Sequence, residues 1–200
     1  MTQLTTRFDE ALIYARTIHE GQKRKGSDIP YFAHLLGVAS LTLEAGGSED
    51  QAIAALLHDA AEDQGGHERL EDIRSRFGGA VADIVGACSD SFVEPKPDWE
   101  PRKKAYLEAM DSKSSDALLV SLADKIHNAE AILADFRSVG PAVFARFTGR
   151  RVGTLWYYRT LADAFTRLRP GAAADRLARA VAALHSEAEA MSETNDGGNR

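Results

Sequence analysis

Two hundred residues, 44% hydrophobic and 27% charged, are the composition of one globular domain and lie far from the disordered class. Thirty acidic against 24 basic residues give a formal net charge of −6, which argues against a dedicated DNA or RNA binder, whose phosphate contacts need a basic face. A single cysteine, Cys88, excludes an internal disulfide framework. No run approaches the roughly 18 apolar residues of a membrane span, and residues 1–16 lack the apolar core of a signal peptide. The expectation is a cytoplasmic protein without nucleic-acid or membrane partners.

Helix signals follow one another along the chain. Phe8, Leu12, Ala15 and His19 recur at helical spacing until Gly21 closes the segment, and the basic, turn-rich stretch 22–30 reads as a loop. Residues 34–45 form a second helix, stopped by Gly46-Gly47. Ser48, with Gln51 three places later, signals a capping box that opens an alanine-rich helix over 52–63, ended by Gly65-Gly66. Short helices over 68–77 and 80–87 are split by Gly78-Gly79. Pro95, Pro97 and Pro101 make 93–101 a loop, and a helix follows from about residue 102 to 110.

Leu118, Leu122, Ile126, Ala129, Leu133 and Phe136 mark the apolar stripe of a long amphipathic helix, broken at Gly140-Pro141. Helices near 144–147, 152–169 and 172–190 complete the series, and the polar residues 191–200 read as a frayed, flexible tail. No alternating strand pattern competes. The predicted fold is all-α: one helical domain over 1–190, with the helices of 141–190 packed on it.

Polar residues at core-facing positions are the anomaly. His58-Asp59 ends the most apolar run in the chain, where either group would cost several kcal/mol to bury without a partner. Glu62 and Asp63 follow at i+4, so a continuous helix stacks all four residues along one side. Three carboxylates beside one imidazole repel one another unless a cation sits among them, which is a metal-site argument from electrostatics. Asp124 and Asn128 lie together on the long helix, away from its apolar stripe, and Asp124 offers a further ligand. His34 is the other strong candidate. Two imidazoles and two carboxylates form a mixed N/O set suited to Mn²⁺, Fe²⁺ or a similar ion with open positions, whereas a closed zinc site would use thiolates.

His34, His58-Asp59 and Asp124, in this order on separate helices, resemble the HD-domain superfamily of metal-dependent phosphohydrolases. Arg24-Lys25 with Pro30-Tyr31-Phe32-Ala33-His34, the run 54–63 ending Leu57-His58-Asp59-Ala60-Ala61-Glu62-Asp63, Phe77-Gly78, and Leu122-Ala123-Asp124-Lys125-Ile126-His127-Asn128 are similar to the hydrolase domain of the RelA/SpoT proteins and to the Mesh1-like small alarmone hydrolases. The likeness covers about residues 8–136. It implies an HD-type helical bundle in which His34, His58, Asp59 and Asp124 hold one divalent ion, commonly manganese. It further implies Glu62 and Asp63 as catalytic carboxylates, and Arg24, Lys25 and Asn128 as contacts to a guanine nucleotide. The implied reaction removes pyrophosphate from the 3′ position of guanosine tetra- or pentaphosphate.

The sequence departs from that family's pattern at Leu35, where proline is usual, and at Gln64, where threonine is usual. The loop before His34 is one residue longer than the common bacterial form, so Lys23-Arg24 could equally take the nucleotide role. These differences keep open another nucleotide or phosphate ester as substrate, or a nucleotide-binding sensor without turnover. His19, His67, His127 and His185 read as surface or satisfied histidines, and Cys88 as a small core residue. The segment 144–159 interleaves Phe147, Trp156, Tyr157 and Tyr158 with arginines. It is read as an aromatic helix packed on the core or in a homodimer seam, with a nucleotide-facing wall as the alternative.

Overall fold

The computed structural model describes residues 2–93 and 95–197, with side chains through residue 191. Its first helices are fixed by local caps. Helix α1 (Thr6–Ile18) starts at Thr5, whose hydroxyl accepts from Arg7 N. Helix α2 (Phe32–Glu44) follows a loop pinched by a single backbone bridge between Lys23 and Pro30. Helix α3 (Glu49–Leu57) opens in the predicted capping box: Ser48 N donates to Gln51 Oε1 at 2.7 Å and Gln51 N donates to Ser48 Oγ at 3.3 Å. Both donors would otherwise be left without a partner in the first turn.

The predicted helix over 52–63 is broken in two. Helix α3 stops at Leu57, and a single turn, α4 (Ala60–Asp63), begins after Asp59, whose backbone (φ −96°, ψ −2°) lies in the sparsely populated bridge region. His58 Nδ1 donates to Ala55 O at 2.8 Å, a side-chain bond that competes with the backbone ladder where the helix ends.

Helices α5 (Gly66–Phe77) and α6 (Gly79–Cys88) meet at Gly78, whose φ of +95° a side chain would strain. Helix α7 (Trp99–Glu108) and a short 3-10 turn lead to the long α8 (Ser115–Val139). The predicted helix near 144–147 is a tighter 3-10 segment, Gly140–Arg146. Helix α9 (Arg150–Leu168) and helix α10 (Ala172–Gly197) finish the chain. The backbone of α10 continues into the segment expected to fray, because Met191 to Asp196 contain no glycine or proline to stop it; residues 198–200 lie outside the described ones.

Two apolar clusters share α8. The first gathers α1, α2, α3, α5 and α6 around the fully buried run from Ala52 to Leu57. The second gathers α7, α9 and α10, including Tyr157, Tyr158, Leu161 and Phe165. Helix α8 gives Val120 and Ala123 to the first cluster and Leu118, Leu122 and Ile126 to the second. Trp99, at the start of α7, lies flat against α9. A Cβ on Gly149 would come within 2.7 Å of its indole, and one on Gly153 within 3.0 Å.

Candidate metal centre

At the seam between the clusters, three helices bring polar atoms to one point. Helix α2 supplies His34, the α3–α4 break supplies His58 and Asp59, and α8 supplies Asp124. His34 Nε2 lies 3.2 Å from Asp124 Oδ1 and 3.6 Å from Asp59 Oδ2. His58 Nε2 lies 3.0 Å from Asp59 Oδ2 and 3.6 Å from Asp124 Oδ1. One ligand atom from each of His34, His58 and Asp59 fits within 4.8 Å of the others.

The surroundings fit a cation. Both imidazole Nε2 atoms are buried and have no hydrogen-bond partner of good geometry. An unsatisfied buried nitrogen costs about 1–3 kcal/mol, and these two are aimed at the same two carboxylates. Burial disfavours a charged His58, yet Asp59 and Asp124 outweigh it and hold the imidazole well above its ordinary range. Burial likewise opposes ionisation of Asp59 and Asp124; His58 dominates the opposing pull on Asp59 and Lys125 that on Asp124, and both carboxyls stay well below the usual range. The cluster therefore draws positive charge to its centre. Nitrogen and carboxylate donors with no thiolate suit a divalent ion with open positions.

A second layer fixes these side chains. Tyr31 Oη donates to Asp59 Oδ2 at 2.5 Å; burial first, and then Asp59, keep this phenol well above its ordinary range, so it remains a donor. Lys125 Nζ lies 2.6 Å from Asp124 Oδ2, and Asn128 Nδ2 donates to Asp124 Oδ1 at 2.5 Å. His127 Nδ1 lies 2.9 Å from His34 Nδ1. His127 reads in the sequence as a surface or satisfied histidine; it is satisfied, and its partner is His34. His19, packed under Tyr31, bonds Gln22 Oε1 through Nδ1. Away from the site, His67 stacks on Phe92 and His185 bonds Leu155 O.

Glu62 and Asp63 do not continue the strip of His58 and Asp59, as an unbroken helix would make them do. The break turns them toward the proline-rich loop, where Lys96 Nζ sits 3.0 Å from Glu62 Oε1 and 3.1 Å from Asp63 Oδ1. Asp63 Oδ2 also accepts from Gln22 Nε2 at 2.9 Å, and Gln64 Nε2 donates to Gln22 Oε1 at 2.7 Å. Burial, Asp90 and Asp59 raise the Glu62 carboxyl, with Lys96 pulling against them. Lys96 is missed by sequence reasoning, although its place between Pro95 and Pro97 marks a stiffly presented charge.

Of the basic loop, Arg24 turns inward: its Nη2 donates to Asn128 Oδ1 at 2.8 Å and its guanidinium stands 5.8 Å from the Tyr31 ring centre. Lys23 pairs with Asp28 at 2.7 Å, and Lys25 is exposed on the turn. The aromatic segment is mostly core, with Tyr157 and Tyr158 buried and Trp156 at its edge.

A buried His/Asp cluster gathered from separate helices of an all-α fold could hold a metal ion. The HD-domain family model matches residues 11–155, and the chain belongs to that family. Among its relatives is the guanosine-3′,5′-bis(diphosphate) 3′-pyrophosphohydrolase MESH1 of Xenopus tropicalis, 39% identical over 122 residues. The human MESH1 is 35% identical over 122 residues. In both cases the match spans 60% of this chain and 65% of the relative's length. A solved structure of a metazoan ortholog of SpoT that hydrolyses ppGpp superposes with a TM-score of 0.74 at 28% identity, over 90% of this chain and 96% of the other. No described helix is long and apolar enough to cross a membrane.

Proposed function

We propose that the chain is a metal-dependent phosphohydrolase that removes pyrophosphate from the 3′ position of guanosine 3′,5′-bis(diphosphate). The observation that carries this reading is the convergence of His34, His58, Asp59 and Asp124 with two unpartnered imidazole nitrogens, beside the Glu62–Asp63 pair. The four residues of the cluster are the ligands, and Mn²⁺ is the ion the donor set and family favour. The bound ion supplies Lewis acidity toward phosphoryl oxygen and lowers the pKa of water.

The remaining work falls to side chains. Glu62, kept less acidic than an exposed carboxylate by burial, accepts the proton of the attacking water. Asp63, fixed by Gln22 and Lys96, orients that water. Water oxygen forms the new bond to phosphorus, the bond from phosphorus to O3′ breaks, and O3′ takes up a proton from solvent, balancing the one Glu62 accepts and later releases. Lys96 meets the charge that gathers on the departing phosphoryl oxygens. Arg24, braced by Asn128 and Tyr31, holds the nucleotide, and Lys25 approaches it from the solvent side.

The deciding experiment is turnover of guanosine tetraphosphate by purified, manganese-loaded protein, with deoxynucleotides and nucleoside monophosphates alongside. Release of guanosine diphosphate and pyrophosphate from the tetraphosphate alone is the expected result. Turnover of another nucleotide instead would keep the metal centre and discard the substrate. Metal binding without any turnover would make the chain a sensor.

A further inference from the structure

Next to Asp90 and Arg102, which border Glu62, a cavity of about 520 Å³ opens between α6, α7 and the start of α8. Its lining includes Asp90, Arg102, Tyr106 and Lys113, none of them a residue of the metal cluster. We propose that this cavity is a second site, for a phosphate-class anion.

Charge is the first argument. Lys96, Lys103 and Lys125 each sit within 3.1 Å of a carboxylate. Lys113 is half-buried and forms no ion pair among the described residues; its ammonium rests 3.6 Å from the Tyr106 ring centre. Asp90, the one carboxylate among the described lining residues, is already held by two cations, Arg102 Nη1 and Lys103 Nζ, each at 2.5 Å. Arg102 also reaches toward Glu62, at 3.9 Å, but Lys96 is the nearer partner of that carboxylate. Among the described lining residues, Arg102 and Lys113 outnumber Asp90, in a chain that is acidic overall.

Hydrogen bonding is the second. Lys113 Nζ, Arg102 Nε and Tyr106 Oη are buried and lack partners, and all three residues line the same cavity. These three donors lie in the wall without hydrogen-bond partners, and rotamer shifts that turn them inward would match the acceptor-rich surface of a phosphate group. The volume exceeds one orthophosphate and admits pyrophosphate or the terminal phosphates of a nucleotide. Arg102 links the two sites, because it faces the cavity and also borders Glu62.

The test is calorimetric titration of the metal-free protein with sodium pyrophosphate, orthophosphate and guanosine diphosphate, against sodium chloride at matched ionic strength. Pyrophosphate is expected to bind the wild type. Lys113→Met, which keeps an unbranched apolar stem over Tyr106, is expected to weaken it tenfold or more, while Arg24→Ala changes it less than twofold. Should Lys113→Met fail to fold, Ser112→Glu places a carboxylate at the exposed mouth and is expected to give the same loss. Tighter binding of pyrophosphate than of guanosine diphosphate assigns the site to the free anion; the reverse order assigns it to a nucleotide. Equal affinity in the wild type and both cavity variants, loss in Arg24→Ala instead, or no heat with the wild type would each overturn the proposal. The measurement needs no turnover, so it stands or falls separately from the hydrolase reading.

Discussion

The Nδ1 atoms of His34 and His127 lie 2.9 Å apart, ring against ring. Burial, His34 and Arg24 lower the His127 pKa to about 4, so at neutral pH it is uncharged. Metal ligation through His34 Nε2 would place the proton of His34 on Nδ1, with His127 Nδ1 as its acceptor. His127→Phe is expected to reduce divalent-metal affinity by about 10–100-fold, the usual cost of losing an outer partner of a ligating histidine. His127→Gln, which keeps an acceptor, should recover part of it. Gly37 lies so close to the His127 ring that a methyl group there would displace it, so Gly37→Ala should mimic His127→Phe. Calorimetric titration with Mn²⁺ reads all three.

Asp59→Ala removes the carboxylate oxygen that faces both imidazoles, a proposed ligand. It should abolish stoichiometric metal binding and turnover together. A metal-loaded, active variant would discard the ligand assignment.

Glu62→Gln should leave metal binding within about threefold while lowering kcat by 10²-fold or more, the scale of a lost general base. An unchanged kcat would take Glu62 out of the mechanism.

The pH profile tests the Lys96 contact. Activity that requires ionised Glu62 is present above its pKa and lost as pH falls through it. Lys96 pulls that pKa down against burial and Asp90, so Lys96→Met should move the acidic limb to higher pH. A limb that stays in place would assign it to another group.

Within the basic loop, Arg24 is braced against Asn128 and Tyr31, whereas Lys25 projects into solvent. Arg24→Ala should raise KM for the nucleotide at least tenfold, and Lys25→Ala by only a few-fold. Steady-state kinetics on the two variants, with kcat reported separately, checks the order.

Much of this was legible in residue order. Apolar spacing and glycine pairs marked the helices because each segment needs one buried face and a stop, and the Ser48/Gln51 cap is a local device visible over four residues. The cluster was legible because buried His and Asp need partners, which drew attention to His58, Asp59, His34 and Asp124. The break after Leu57 was not, since it depends on the His58 side chain taking the Ala55 carbonyl rather than on any breaker residue. Nor were the pairings of His34 with His127 and of Glu62 with Lys96, which join residues 93 and 34 positions apart through tertiary packing.

The seat of Trp99 against Gly149 and Gly153 has an optical consequence. The chain has two tryptophans, and the rings of Trp99 and Trp156 stand 6.3 Å apart, so its indole emission arises from one spot. Trp99 begins α7 three residues after Lys96, directly behind the loop that delivers that ammonium to Glu62. The protein thus contains its own fluorophore beside that loop, readable without a label.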